Sequence, residues 1–83
     1  MIDIVDDGQA LAFDGRVLEF FHRNGENVRL HAGTLRRVEL VDKRGDRLEL
    51  RAYTQRGTYG MTFAATRHAE LRELASALAV SAL

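Results

Sequence analysis

Eighty-three residues with 12 basic and 12 acidic side chains and no cysteine describe one small, electrically balanced domain. A chain of this size buries about 60–65% of the surface its unfolded form exposes, which excludes a second domain and a deep active-site cleft. The zero net charge excludes a strong field towards nucleic acid or an anionic membrane, and the missing thiols exclude a disulfide framework and thiolate chemistry.

Lys43 is the only lysine; the other basic residues are arginine, which favours forked pairing with carboxylates. No apolar run approaches the roughly 18 residues of a membrane span. The opening "MIDIVDDG" is acidic, unlike a signal peptide, so a soluble, cytoplasmic protein is expected.

Proline is absent, and seven glycines punctuate the chain, most of them behind a polar residue and between two apolar-alternating runs. "DDG", "FDG", "RNG", "KRG" and "QRG" read as a repeated hairpin signature. The first strand spans 2–5 and the second 10–13. At "LAFDGRVLEF" a two-residue Asp14-Gly15 turn pairs Phe13 with Arg16 and Leu11 with Leu18. Leu11, Phe13, Leu18 and Phe20 then share one face with a third strand over 16–22. At "FHRNGENVRL" a three-residue loop, Arg23-Asn24-Gly25 with its glycine left-handed, pairs Phe20 with Val28 and Leu18 with Leu30. A two-residue turn there would carry Val28 and Leu30 to the wrong side of a fourth strand over 26–32.

Strands over 35–42 and 46–54 meet at Lys43-Arg44-Gly45, which pairs Leu40 with Leu48 and Val38 with Leu50. That register sets Glu39 opposite Glu49 and Arg37 opposite Arg51, offset in part by diagonal Glu39–Arg51 and Arg37–Glu49 neighbours. An even-length loop around Arg56-Gly57 leads to a seventh strand, 58–63, and keeps Leu48, Leu50, Tyr59, Met61 and Phe63 together. The apolar period then changes from two to about 3.6. Thr66 is a good N-cap for a helix from Arg67 to about Ala82, whose stripe is Leu71, Leu74, Ala75, Leu78 and Ala82. A curved sheet with one apolar face has an open end, so this helix is read as a structural plug.

Asp3, Asp6, Asp7 and Gly8 hold fragments of a calcium loop but lack its spaced ligands and closing glutamate, so they read as a charged turn. His22, His31 and His68 lack metal-site spacing. Ser76 and Ser81 lie late on the helix without an acid–base partner. No catalytic residue, cofactor or metal is therefore expected. Arg29, Arg36, Arg37, Arg47 and Arg51 offer an alternative function, anion or nucleic-acid binding by outward arginines, although Glu39 and Glu49 sit among them. The outward pair Val17 and Phe21, together with Val80 and Leu83 on the helix face opposite the core stripe, is the candidate interface. Arg37 and Arg51 are its polar rim.

Seven antiparallel strands split four and three at "HAGT", His31–Thr34, with one C-terminal helix, resemble the pleckstrin-homology-like domains of small bacterial proteins. The likeness is carried by "LAFDGRVLEFFHR", "RLHAGTLRRVELVD", "RLELRAY" and "MTFAATRHAELRELASAL", from about Ala10 onward. It implies a mainly β fold with one C-terminal helix (α+β): a seven-stranded bent antiparallel sheet or partly open barrel, one domain over 1–83. It also implies a non-catalytic protein-interaction or self-assembly module, with a protein partner or a homo-oligomer. Phosphoinositide-binding members carry lysine and arginine around the first hairpin loop. Here that loop is "DDGQ", with two negative charges, so a lipid headgroup is not expected there.

Overall fold

Alternation of apolar and polar residues produces seven strands, and the computed structural model describes residues 2–82, with side chains through 78. The strands are β1 (Ile2–Asp6), β2 (Gln9–Phe13), β3 (Val17–Phe21), β4 (Asn27–His31), β5 (Leu35–Lys43), β6 (Arg47–Thr54) and β7 (Gly57–Ala64). They form two antiparallel sheets, ordered β1-β2-β3-β4 and β5-β6-β7. The division falls at a 3-10 turn, Ala32–Thr34, inside the "HAGT" stretch, and a single helix, α1 (His68–Ala82), closes the chain.

Registers agree with the sequence at some hairpins and differ by two residues at others. The β3–β4 loop pairs Phe20 with Val28 and Leu18 with Leu30, as expected. Gly25 lies in the left-handed region, at φ 93°, and Asn24 Oδ1 accepts the Glu26 N–H. The β6–β7 turn is the two residues Gln55-Arg56, with Leu48 opposite Phe63 and Leu50 opposite Met61. At β2–β3, however, Phe13 pairs with Leu18, not Arg16, and the connection between the strands is the three residues 14–16. Asp14 favours this register: its Oδ1 accepts the N–H groups of both Arg16 and Val17 at 2.8 Å, an Asx arrangement that tightens the turn around Gly15 and Arg16.

At β5–β6 the loop is Arg44-Gly45-Asp46, so Lys43 faces Arg47 and Leu40 faces Leu50. The like-charge pairs expected from the sequence therefore do not occur. Glu39 sits directly opposite Arg51, and Arg37 opposite Tyr53. Asp46 accepts the φ of 55° that this loop demands, and its carbonyl accepts the Ala65 N–H at 2.8 Å. Thr66 is not the residue before the helix. It lies inside a 3-10 turn, Ala65–Arg67, that precedes α1, and Arg67 Nη1 reaches Glu70 Oε1 at 3.1 Å.

The inner faces of both sheets and one stripe of the helix share a single core. Leu11, Phe13, Leu18 and Phe20 come from the first sheet, Leu48, Leu50, Met61 and Phe63 from the second, and Leu71, Leu74 and Leu78 from α1. Each such burial stabilises the fold by roughly 1.5–3 kcal/mol relative to an exposed side chain. The helix lies mainly against β5 and the 3-10 turn after β4, and also meets β1. It therefore covers the apolar faces the strands leave, which is the role its stripe predicts.

The sheets are joined at a further corner by side chains. Asp6 Oδ2 accepts the Ala64 N–H at 2.9 Å, and Gln9 Nε2 donates to the Thr62 carbonyl. Asp6 and Gln9 face one another across the Asp7-Gly8 turn, whose residues both have positive φ, 50° and 78°. That is the type I′ geometry that asparagine, aspartate and glycine favour.

Candidate functional site

Three surfaces carry the side chains on which a function can be argued. The first is the outer face of the four-stranded sheet. Cross-strand pairing sets Val5, Ala10, Phe21 and Asn27 in one row, and Asp3, Ala12, Glu19 and Arg29 in the next. Val5 is 60% and Phe21 39% exposed, and they are the exposed large hydrophobics among the described residues. Neighbouring strands lie about 4.8 Å apart, so Val5 and Phe21 stand roughly 10 Å from one another with only the Ala10 methyl between them. Val17, half-buried, lies on the same face of β3, opposite His31.

The second surface is the outer face of the three-stranded sheet, where charged side chains of β5 and β6 lie beside the uncharged Thr58, Gly60 and Thr62 of β7. The Arg37 guanidinium lies over the Tyr53 ring at 4.4 Å, and the Tyr53 hydroxyl donates to Glu39 Oε1. Arg51 Nε donates to Glu49 Oε1 at 2.8 Å, and Lys43 Nζ approaches the same oxygen at 3.6 Å. Tyr53 first, and Glu49 second, hold the Arg51 guanidinium protonated above its ordinary value. Gly60 of β7 makes room for the Glu49 side chain: a Cβ there would stand 2.8 Å from Glu49 Oε2. Arg37 and Arg51 therefore belong to an ion-pair network on the second sheet. They do not rim the Val17–Phe21 patch, which is on the other sheet. The side chain of Val80, and Leu83 altogether, lie outside the described residues.

The third surface is a cleft of 640 Å³ between β4 and the β6–β7 end. Arg29, His31, Arg36, Arg56 and Tyr59 line it, and none of the described residues that line it is acidic. Arg36 arrives there through an irregularity in β5. Leu35 pairs with Thr54 and Arg37 with Tyr53, leaving Arg36 as an extra residue in a bulge. Thr34 Oγ1 donates to the His31 carbonyl at 2.7 Å, fixing the corner of the cleft.

The acidic first turn is tied to structure rather than presented to a ligand. Asp7 Oδ2 pairs with Arg23 Nη2 at 3.0 Å, and the Asp7 carbonyl accepts from Arg23 Nε at 2.9 Å. Asp6 is occupied by Ala64, as described. Among the described residues no group of three or more histidine, cysteine or acidic side chains is placed to hold a metal ion. His22 stacks on Phe20, with centroids 6.2 Å apart and rings 11° from parallel.

Two of these features go beyond the expectations from the sequence. Val5 was signalled, since Ile2 and Ile4 alternate inward and Val5 must then point outward beside Phe21. Arg36 was not signalled, because a bulge leaves no mark in a run such as "LRRVELVD". No protein-family model matches the chain, and no curated protein matches it.

Proposed function

We propose that the chain is a non-catalytic self-assembly module of pleckstrin-homology-like type, in which a second copy of the chain seats on the outer face of the four-stranded sheet. Seven strands in sheets of four and three, with a helix at the C-terminal end, support the fold assignment. The observation that carries the function is the placement of Val5 and Phe21 in one cross-strand row with Ala10 between them. Clustered exposed apolar side chains mark contact surfaces, whereas scattered ones do not.

The occupant is argued from self-complementarity. A two-fold axis lying in the interface, parallel to the strands, places β1 of one copy over β4 of the other and keeps the rows in step. Phe21 then meets Ala10 of the second copy, a large side chain against a small one. Asp3, at one margin of its row, meets Arg29, at the opposite margin. A four-stranded face five residues long has a footprint of about 300 Å², well below the roughly 800 Å² per partner of a standard interface. The association is therefore weak and driven by concentration.

The alternative of anion or nucleic-acid binding by the outward arginines of the second sheet has less support, since Arg37 and Arg51 are engaged with Tyr53, Glu39 and Glu49. Likewise, the β1–β2 loop offers a phosphoinositide headgroup the ion-paired Asp7.

Light scattering over a concentration series, from about 10 μM to about 1 mM, tests the reading. The expected mass rises towards a dimer, and Phe21→Arg holds the chain monomeric with an unchanged circular dichroism spectrum. A wild type that stays monomeric throughout, or a Phe21→Arg chain that still dimerises, overturns it.

A further inference from the structure

The sheets have four edges, and they are not treated alike. Those of β1 and β5 lie on strands that the helix meets, and that of β7 is bonded by the Asp6 and Gln9 side chains. Among the described residues β4 pairs with β3 alone, and its other edge fronts the cleft. Arg29, Leu30 and His31 are consecutive, so their side chains alternate between the two faces of β4, yet all three line the cleft. The cleft therefore runs alongside the strand's open edge and not over either face. An open edge is a template for another strand, and natural proteins cover or blunt one unless it is used.

We infer that the cleft takes an extended segment of a partner protein in which acidic and apolar residues alternate, added as a fifth strand along β4. The backbone of such a segment pairs with the open edge, as in other cases of strand addition, and the alternation of its side chains is read by pockets of opposite chemistry. Residues on the outer side meet Arg29, His31 and the arginines Arg36 and Arg56, whose planar guanidinium forks match carboxylates. Residues on the inner side meet Leu30 and Leu35, which line the same cleft. Arg36 and Arg56 are in no ion pair with another described residue, so an incoming carboxylate has no internal competitor to displace there. The bulge in β5 supports the same reading, because an extra residue that turns an arginine into a cleft re-aims a side chain at the cost of ladder regularity. Arg29 is shared with the two-fold contact proposed above, whereas Arg36 and Arg56 take no part in it, so variants at those two residues test this site by itself.

The probe is a fluorescein-labelled peptide of alternating glutamate and valine, about seven residues long to span β4, with a lysine-for-glutamate peptide as control. Fluorescence anisotropy of the full chain is expected to show binding of the acidic peptide and none of the basic one. Arg36→Glu/Arg56→Glu weakens binding at least about tenfold. Both residues are exposed, so the variant keeps its fold, and Arg36→Gln/Arg56→Gln provides the milder comparison. Amide hydrogen exchange on the saturated complex is expected to slow within 27–31. No binding at about 1 mM peptide, equal binding by the charge-reversed variant, protection elsewhere but not in β4, or full displacement by about 10 mM inorganic phosphate each overturns the inference. The last outcome would make the cleft a small-anion pocket.

Discussion

The carboxylate of Asp6 accepts a hydrogen bond from the backbone N–H of Ala64 at 2.9 Å, across 58 residues of chain. With Gln9 donating to the Thr62 carbonyl one turn away, two side chains take the place of a missing strand on the edge of β7. This is how the two sheets are closed against each other at that corner. It also explains why an aspartate sits in a half-buried position beside the first turn.

Removing the Asp6 carboxylate leaves the partly buried Ala64 N–H without its acceptor. Asp6→Ala is expected to cost about 1–3 kcal/mol, and Asp6→Asn less, because the amide oxygen can still accept. Urea unfolding of the three proteins measures this. Equal midpoints for Asp6→Ala and wild type would show that water replaces the carboxylate without loss.

Gly60 and Glu49 are coupled through space. A Cβ at Gly60 would stand 2.8 Å from Glu49 Oε2 and 3.2 Å from its Cδ, so Gly60→Val forces the carboxylate away from Arg51. Valine otherwise suits a strand better than glycine. Gly60→Val is therefore expected to destabilise the wild type but to stabilise a Glu49→Ala background, with a coupling of about 1 kcal/mol in a double-mutant cycle. Additive effects would show that Glu49 yields freely.

Asp14 provides a pH dependence. The Val17 N–H first, and the Arg16 N–H second, hold its carboxyl below the ordinary value of 3.8. A carboxylate with a depressed folded-state pKa contributes stability that is complete above the unfolded value and lost as pH falls through the folded one. The difference in urea midpoint between wild type and Asp14→Asn is thus expected to be full at neutral pH and to shrink below pH 3.8. A difference that persists unchanged in acid would assign the effect to turn geometry and not to charge.

The helix is tested at Leu74, which is fully buried in the shared core. Leu74→Ala is expected to cost about 2–5 kcal/mol, a large share of the stability of so small a domain. Ser76→Ala, on the exposed side of the same turn, should stay within about 0.5 kcal/mol. Thermal melts followed by circular dichroism separate the two. A small loss at Leu74 would mean that the sheets close without the helix.

Much of the fold could be read in the sequence because strand side chains alternate with a period of two. At β2–β3 and β5–β6 the pairing differs from the expected one by two residues, a shift that leaves every side chain on its own face. Leu11, Phe13, Leu18 and Phe20 are buried together in either register. What such a shift changes is which residues stand directly opposite. Glu39 therefore gained Arg51 as a partner in place of Glu49. Turn chemistry decided those cases, through the Asx bonds of Asp14 and the left-handed Asp46, and both are weaker signals than the Asn24-Gly25 pair.

The candidate surfaces were less legible. Phe21 and Val17 were visible as outward residues of one strand, but their neighbour Val5 lies on another strand and joins them only when β1, β2 and β3 are aligned. Arg37 and Arg51 were visible as outward arginines beyond the split at "HAGT", but their engagement with Tyr53, Glu39 and Glu49 depends on the register that the β5–β6 loop sets.

The number of strands, the inward face of each and the apolar stripe of the helix follow from the sequence alone, because each depends on a local period or on a turn a few residues long. Which edges are closed and which is open follows only from the assembled fold. That choice rests on sheet twist and on contacts such as Asp6 with Ala64, where residues far apart in sequence are brought together by the summed geometry of every hairpin between them.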